Sequence, residues 1–155
     1  MQSNRSTLVT VALIALFLGL GACATVPLAS LQEDARIKAL APPPNAALVY
    51  VYRNESFGAA VRMNVFLDGA YAGNTAAKTY LIWQVAPGHH RIASQAENDT
   101  VLDLVADPGR TYFVWQEVRM GVLSARSSLH LVPDNDGRAG VRECHLIAMP
   151  LANAH

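Results

Sequence analysis

The stretch VRMNVFLDGAYAG, residues 61–73, decides the fold. Val61, Met63, Val65 and Leu67 alternate with Arg62, Asn64 and Asp68, the period-two repeat of a strand with one face in a core and one in water. Asp68-Gly69 follows at once. Both central positions of the favoured hairpin turn need positive φ, which Asp-Gly accepts, so the chain returns through Ala70-Tyr71-Ala72-Gly73 as a second strand.

Working outward, ALVYVYR at 47–53 reads as an earlier strand, with Leu48, Tyr50 and Tyr52 on one face and Val49, Val51 and Arg53 on the other. Later strands are predicted at 80–85, 90–96, 101–106, 111–118 and about 127–132. Their separators, Pro87-Gly88, Glu97-Asn98-Asp99, Asp107-Pro108-Gly109 and Gly121, are turn formers. Seven to eight short strands at this spacing predict a mostly β fold, an antiparallel β-sandwich or small barrel. A helix is expected at each end. Ser30 and Glu33 have capping-box spacing and start a short N-terminal helix that Pro42-Pro43-Pro44 must end. In the tail, Val141, Cys144, His145 and Ala148 fall at helical spacing over 138–149 and predict a C-terminal helix packed on the sheet.

Composition narrows the function classes. The chain has 155 residues, 52% hydrophobic and 15% charged, with 12 Lys+Arg against 12 Asp+Glu. One core-forming domain is expected, and disorder is excluded by the apolar content and zero net charge. Nucleic acid is excluded as a partner, because phosphate binding needs an excess of cations. Two cysteines are too few for a disulfide scaffold.

The N-terminus carries an address. Arg5 precedes TLVTVALIALFLGL at 7–20, an uncharged apolar run, in the order of a secretory signal peptide. Leu20-Gly21-Ala22-Cys23 then looks like the lipobox of bacterial lipoproteins, in which cleavage between Ala22 and Cys23 leaves a thiol that receives diacylglycerol and an N-terminal acyl chain such as palmitate. The competing reading is an uncleaved anchor, since apolar or small residues run from 7 to 28, long enough to span a bilayer. Ala24 rather than Asp follows the cysteine, which by resemblance to diderm lipoproteins favours the outer membrane facing the periplasm, with inner-membrane anchoring as the alternative. The chain therefore divides into a cleaved signal peptide (1–22), a lipidated tether with a short helix and proline hinge (23–45), and a β domain (46–149).

A family resemblance adds to this. Residues 47–53, then Val65-Phe66-Leu67-Asp68-Gly69, Thr79-Tyr80, Pro87-Gly88-His89-His90 and Pro108-Gly109-Arg110-Thr111-Tyr112-Phe113-Val114, look like the bacterial lipoprotein group classed as domain of unknown function 2846. The ending Val141-Arg142-Glu143-Cys144-His145-Leu146-Ile147 is similar too. The part from Leu67 to His90 also resembles the PEGA-type β module of bacterial surface proteins. The resemblance implies an exported, mostly β lipoprotein domain and no assigned activity.

Candidate chemistry is sparse. His89 and His90 are strand neighbours pointing to opposite faces, so His90 is read as stabilising a turn. Cys144 and His145 diverge by about 100° on a helix, so Cys144 is read as a buried, inert thiol. Asp134, Asp136 and Glu143 approach calcium-loop spacing, but Val132 stands where the first carboxylate is needed. No catalytic residue, metal ligand or cofactor is assigned beyond the acyl groups on Cys23. Tyr71, Trp83 and Trp115, with the arginines, form a candidate glycan- or peptide-binding face, although the spacing of both tryptophans also suits a core. The function expected is an exported, membrane-anchored lipoprotein, a non-enzymatic binding or structural module of the cell envelope. It would be held to the bilayer through Cys23 and engage an envelope protein or glycan. The alternatives are an inhibitor or accessory of a cell-wall enzyme and, with less support in the residues, a secreted hydrolase.

Overall fold

Asp68 and Gly69 make the turn their residue types require, with φ of 51° and 81°, and join two strands of a nine-stranded sandwich. The computed structural model describes residues 25–123 and 125–148. In chain order it contains α1 (Leu31–Lys38), β1 (Ala47–Arg53), β2 (Met63–Leu67), β3 (Ala70–Thr75), β4 (Thr79–Val85), β5 (Gly88–Gln95), β6 (Asp99–Ala106), β7 (Thr111–Met120), β8 (Ala125–Val132), α2 (Asp134–Arg142) and β9 (His145–Leu146). One sheet has the order β8-β7-β1-β4-β9 and the other β3-β2-β5-β6.

All eight strands read from the sequence are present, and the described residues close no barrel. The pairing differs from a purely antiparallel sandwich, because β1 runs parallel to β7 and β4 parallel to β9. The larger sheet is also buried on both faces. Every residue of β1 is buried: Val49 and Val51 meet the second sheet, while Leu48, Tyr50 and Tyr52 meet the helices. Arg53 ends this strand fully buried, and its guanidinium donates to the carbonyls of Phe57, Gly58 and Val61, ordering the loop to β2.

The C-terminal helix expected over 138–149 lies earlier, at Asp134–Arg142. Gly137 and Gly140 disguise it, since glycine weakens a helix. Packing requires both. A Cβ on Gly137 would lie 2.2 Å from Phe113, and one on Gly140 2.2 Å from the Tyr52 ring, so the helix sits on the sheet through two notches. Cys144 and His145 are consequently not helical. His145–Leu146 pair instead with Thr79 and Tyr80 along the edge of β4, and this satisfies backbone groups that an open sheet edge would leave unpaired.

The N-terminal region also departs from its expected role. The cap forms in part: Glu33 N donates to Ser30 Oγ at 3.2 Å, but the Glu33 carboxylate turns to Arg36 instead of reaching back. From Thr25 on, the segment expected as a tether belongs to the packed structure. Leu28 bridges Ile147, Ala148 N donates to Pro27 O at 2.8 Å, and Ile37 is fully buried. The triple proline lies between α1 and β1, whose residues Ile37, Leu48, Tyr50 and Tyr52 share one cluster.

Candidate functional site

The helix-side face of the larger sheet is where polar chemistry meets the core. Alternation puts Tyr50 and Tyr52 on this face of β1, Tyr80 on β4 and Phe113 on β7. Tyr50 stacks on Phe113 with ring centroids 5.0 Å apart, and its hydroxyl donates to the Ile37 carbonyl at 2.8 Å. Burial pushes that phenol up to about 12, so it stays neutral. Asp34 is the buried acid that ties α1 to the C-terminal strand. One of its oxygens accepts from Leu146 N at 2.8 Å and the other from Lys38 Nζ at 2.7 Å. Burial alone would raise its pKa, but the hydrogen bonds from Lys38, Leu146 and Tyr80 outweigh burial and hold it below the ordinary value. Lys38 Nζ donates in addition to the Cys144 carbonyl at 2.6 Å.

Between α1 and α2 these residues leave a cleft of about 50 Å³, lined by Lys38, Tyr50, Phe113, Arg138, Val141 and Arg142. Arg138, Val141 and Arg142 share one face of α2 because residues three and four apart are neighbours on a helix. The Arg138 guanidinium lies 5.5 Å from the Phe113 centroid and donates through Nε to Asp134 at 2.7 Å. The Arg142 side chain has no ion pair or hydrogen bond among the described residues. The cleft thus presents three cations over an aromatic floor, and no acid lines it.

A second, wider cleft of about 510 Å³ lies beside Asp68, Gly69, His89, His90, Arg91 and Asp103. His90 clamps two turns here: Nδ1 meets Asp68 Oδ2 and Nε2 meets the Ala86 carbonyl, each at 2.7 Å. Both partners are acceptors, so only the doubly protonated ring donates to both. Burial by itself lowers the pKa of His90, yet the bonds to Asp68 and Ala86 raise it overall. The Asp-Gly turn and the Pro-Gly-His-His segment are therefore halves of one clamp, as the turn-stabilising reading of His90 anticipates.

A third feature is the β7–β8 connection. Val122 and Leu123 are 88% and 94% exposed, and their amides both donate to the Glu97 carboxylate at 2.9 and 2.7 Å. The apolar tip is thus held by a carboxylate bond to its backbone.

Of the residues singled out in the sequence, Ala22 and Cys23 lie outside the described residues. Trp83 is 2% exposed in the core between the sheets. Trp115 is half-buried on the other face of the larger sheet, beside His130. Tyr71 is exposed on β3, edge-on to Phe66. The three do not share a surface. Cys144 is buried, donates through Sγ to the Gly140 and Arg53 carbonyls, and has its thiol pushed up to about 12 by burial; His145 is exposed. Asp134 and Asp136 stand in the first turn of α2 rather than in a calcium loop, and the described residues contain no cluster of three or more His, Cys, Asp or Glu suited to a metal. Sequence reasoning missed Lys38, Arg138 and Arg142 as a group. The i, i+4 spacing of the two arginines is a usable signal only once α2 is known to begin at Asp134.

Comparison with known proteins extends the reading. A family model described as "Protein of unknown function (DUF2846)" matches residues 43–128, more than half of the chain. A protein of Haemophilus influenzae described as "Uncharacterized protein" is 28% identical over 145 residues, covering 92% of this chain and 83% of that one. No solved structure matches.

Proposed function

The chain belongs to the family described as Protein of unknown function (DUF2846), and on that premise we propose that it is an exported lipoprotein, a non-enzymatic binding module held at a bacterial envelope membrane through acylated Cys23. The observation that carries this reading is Leu20-Gly21-Ala22-Cys23 directly after an uncharged apolar run. The fold is compatible with it in a specific way. Only Ala24 separates Cys23 from Thr25, and Pro27 and Ala29 hydrogen-bond to Ala148 and Leu146 along the outer edge of β9. An acyl group on Cys23 would leave from that edge with almost no spacer, holding the domain against the lipid surface. Two or more acyl chains give stable anchoring where one is reversible. Ala24 favours the outer membrane over the inner.

Mass spectrometry of the protein recovered from membranes tests this. The expected N-terminus is Cys23 carrying diacylglycerol and an N-acyl chain, and Cys23→Ser should release the protein from the membrane. An intact N-terminus at Met1, or an unmodified Cys23, overturns the reading.

The second reading, an inhibitor or accessory of a cell-wall enzyme, is favoured by the exposed Val122-Leu123 tip. That tip joins β7 to β8, at the sheet edge opposite β9, and on an anchored domain it would be available to a protein partner. A hydrolase reading has less support, since the buried Cys144 thiol at about 12 is a poor nucleophile.

A further inference from the structure

We propose that the cleft between α1 and α2 binds a single oxyanion group, a carboxylate or phosphate, carried by a ligand whose apolar neighbour lies against Phe113 and Val141. The charge of the lining favours an anion. Among the described residues Lys38, Arg138 and Arg142 line the cleft and no acid does; Asp34 and Asp134 pair with Lys38 and Arg138, and the Arg142 charge has no such partner. Tyr50 adds no negative charge, since its hydroxyl is a buried phenol donating to Ile37.

Free donors remain to bind it. Arg138 spends Nε on Asp134 and Lys38 spends protons on Asp34 and Cys144. The terminal nitrogens of Arg138, one proton of Lys38 and the whole Arg142 fork remain, and such forks match the oxygens of carboxylate and phosphate. The size of the cleft suits one such group. A space of about 50 Å³ holds about three to five waters at roughly 10–15 Å³ each, the room one oxyanion group needs and too little for a sugar ring. The aromatic floor beside the cations gives the carbon next to the oxyanion an apolar seat.

The proposal rests on the reading of this domain as a binding module, and it is independent of the lipid on Cys23. The test is thermal unfolding of the protein purified from membranes in dodecyl maltoside. It is titrated with acetate, inorganic phosphate or phosphatidylglycerol in mixed micelles, each against chloride at equal ionic strength. A ligand that binds only the folded state raises Tm in a saturable way. At least one of the three should do so, and Arg142→Gln should weaken the apparent affinity about tenfold, the loss of one charge-assisted contact. Arg142 has no partner to lose, so this variant keeps its fold. Arg126→Gln, at the far end of β8, should leave the titration unchanged. A response to phosphatidylglycerol alone identifies a lipid headgroup as the source, and a response to the free anions identifies a soluble ligand; either supports the site. No rise beyond that of chloride, or a rise that Arg142→Gln leaves intact, overturns it. An unmodified Cys23 would defeat the anchor while leaving this titration to be read in the same way.

Discussion

The two faces of the larger sheet are built from the same strands by different means. Toward the second sheet it is mostly aliphatic around one tryptophan, with Ala47, Val49, Val51, Leu81, Trp83 and Val114 meeting Val65, Leu67 and Ile92. At one end that layer closes on a buried polar chain in which Thr75 donates to Gln116, and Gln116 and Ser127 donate to Ser94. Toward the helices it is aromatic, with Tyr50, Tyr52, Tyr80 and Phe113 against Ile37, Val141 and Cys144. Sheet on sheet needs only side chains that interdigitate at a constant spacing of about 10 Å. Helix on sheet is filled here by long rings, and α2 makes room for two of them with glycine, Gly137 against Phe113 and Gly140 against Tyr52. The hydroxyls and cations that accompany those rings leave polar groups at the rim, so the cleft with binding chemistry opens on this side.

The sharpest way to break the contrast is Gly137→Ala. On an isolated helix the change should stabilise by about 0.8–1.0 kcal/mol. Against Phe113, 2.2 Å from the added Cβ, overpacking should instead cost about 3 kcal/mol or more, read as a lower urea midpoint with circular dichroism. A neutral or stabilising result would mean that α2 does not dock through a notch.

Next in size is the polar chain on the other face. Gln116→Leu removes two buried hydrogen bonds, leaving Ser94 with Ser127 and Thr75 with the Met63 carbonyl at 3.4 Å, and should cost about 2–3 kcal/mol at about 1 kcal/mol or more per bond. An effect below about 0.5 kcal/mol, within the range of an ordinary surface change, would show that the two faces are alike in tolerating polarity.

The smallest effect concerns Asp34. Asp34→Asn keeps an acceptor for Leu146 N but loses the ion pair with Lys38, and should cost about 1–2 kcal/mol. The sign with pH follows from its lowered pKa. The stabilisation is present above the ordinary value of 3.8 and is lost as pH falls through the lower folded value. Acid unfolding of Asp34→Asn should therefore be less steep below about pH 4, and an unchanged acid limb would remove Asp34 from the helix-side ledger.

The eight long strands were legible because each carries its own evidence. Alternation in 47–53 and 61–67, the Asp68-Gly69 pair and the Pro-Gly separators are local, and their reading needs no partner. The end of the chain was not legible in the same way. DNDG at 134–137 reads locally as a turn, yet it starts α2, and the helix expected to run on to 149 ends at Arg142; its two glycines are kept because Phe113 and Tyr52 leave room for nothing larger. His145–Leu146 continues a helical spacing in the sequence and still forms a strand, since the edge of β4 offers hydrogen bonds that a longer helix would forgo. The cleft was missed for the same reason. Lys38 and Arg138 are 100 positions apart, and nothing local to either announces the other.

By itself, then, the sequence determined a β-rich domain, the residues facing each way along its strands, the turn glycines and a lipobox-like leader, all encoded within a few neighbouring residues. Only the tertiary structure decided that the larger sheet is buried on both faces, that residues 25–45 belong to the packed unit, and that three cations from two helices share one cleft. These depend on which surfaces meet, and that is set by long-range packing, which a period of two or 3.6 residues does not carry.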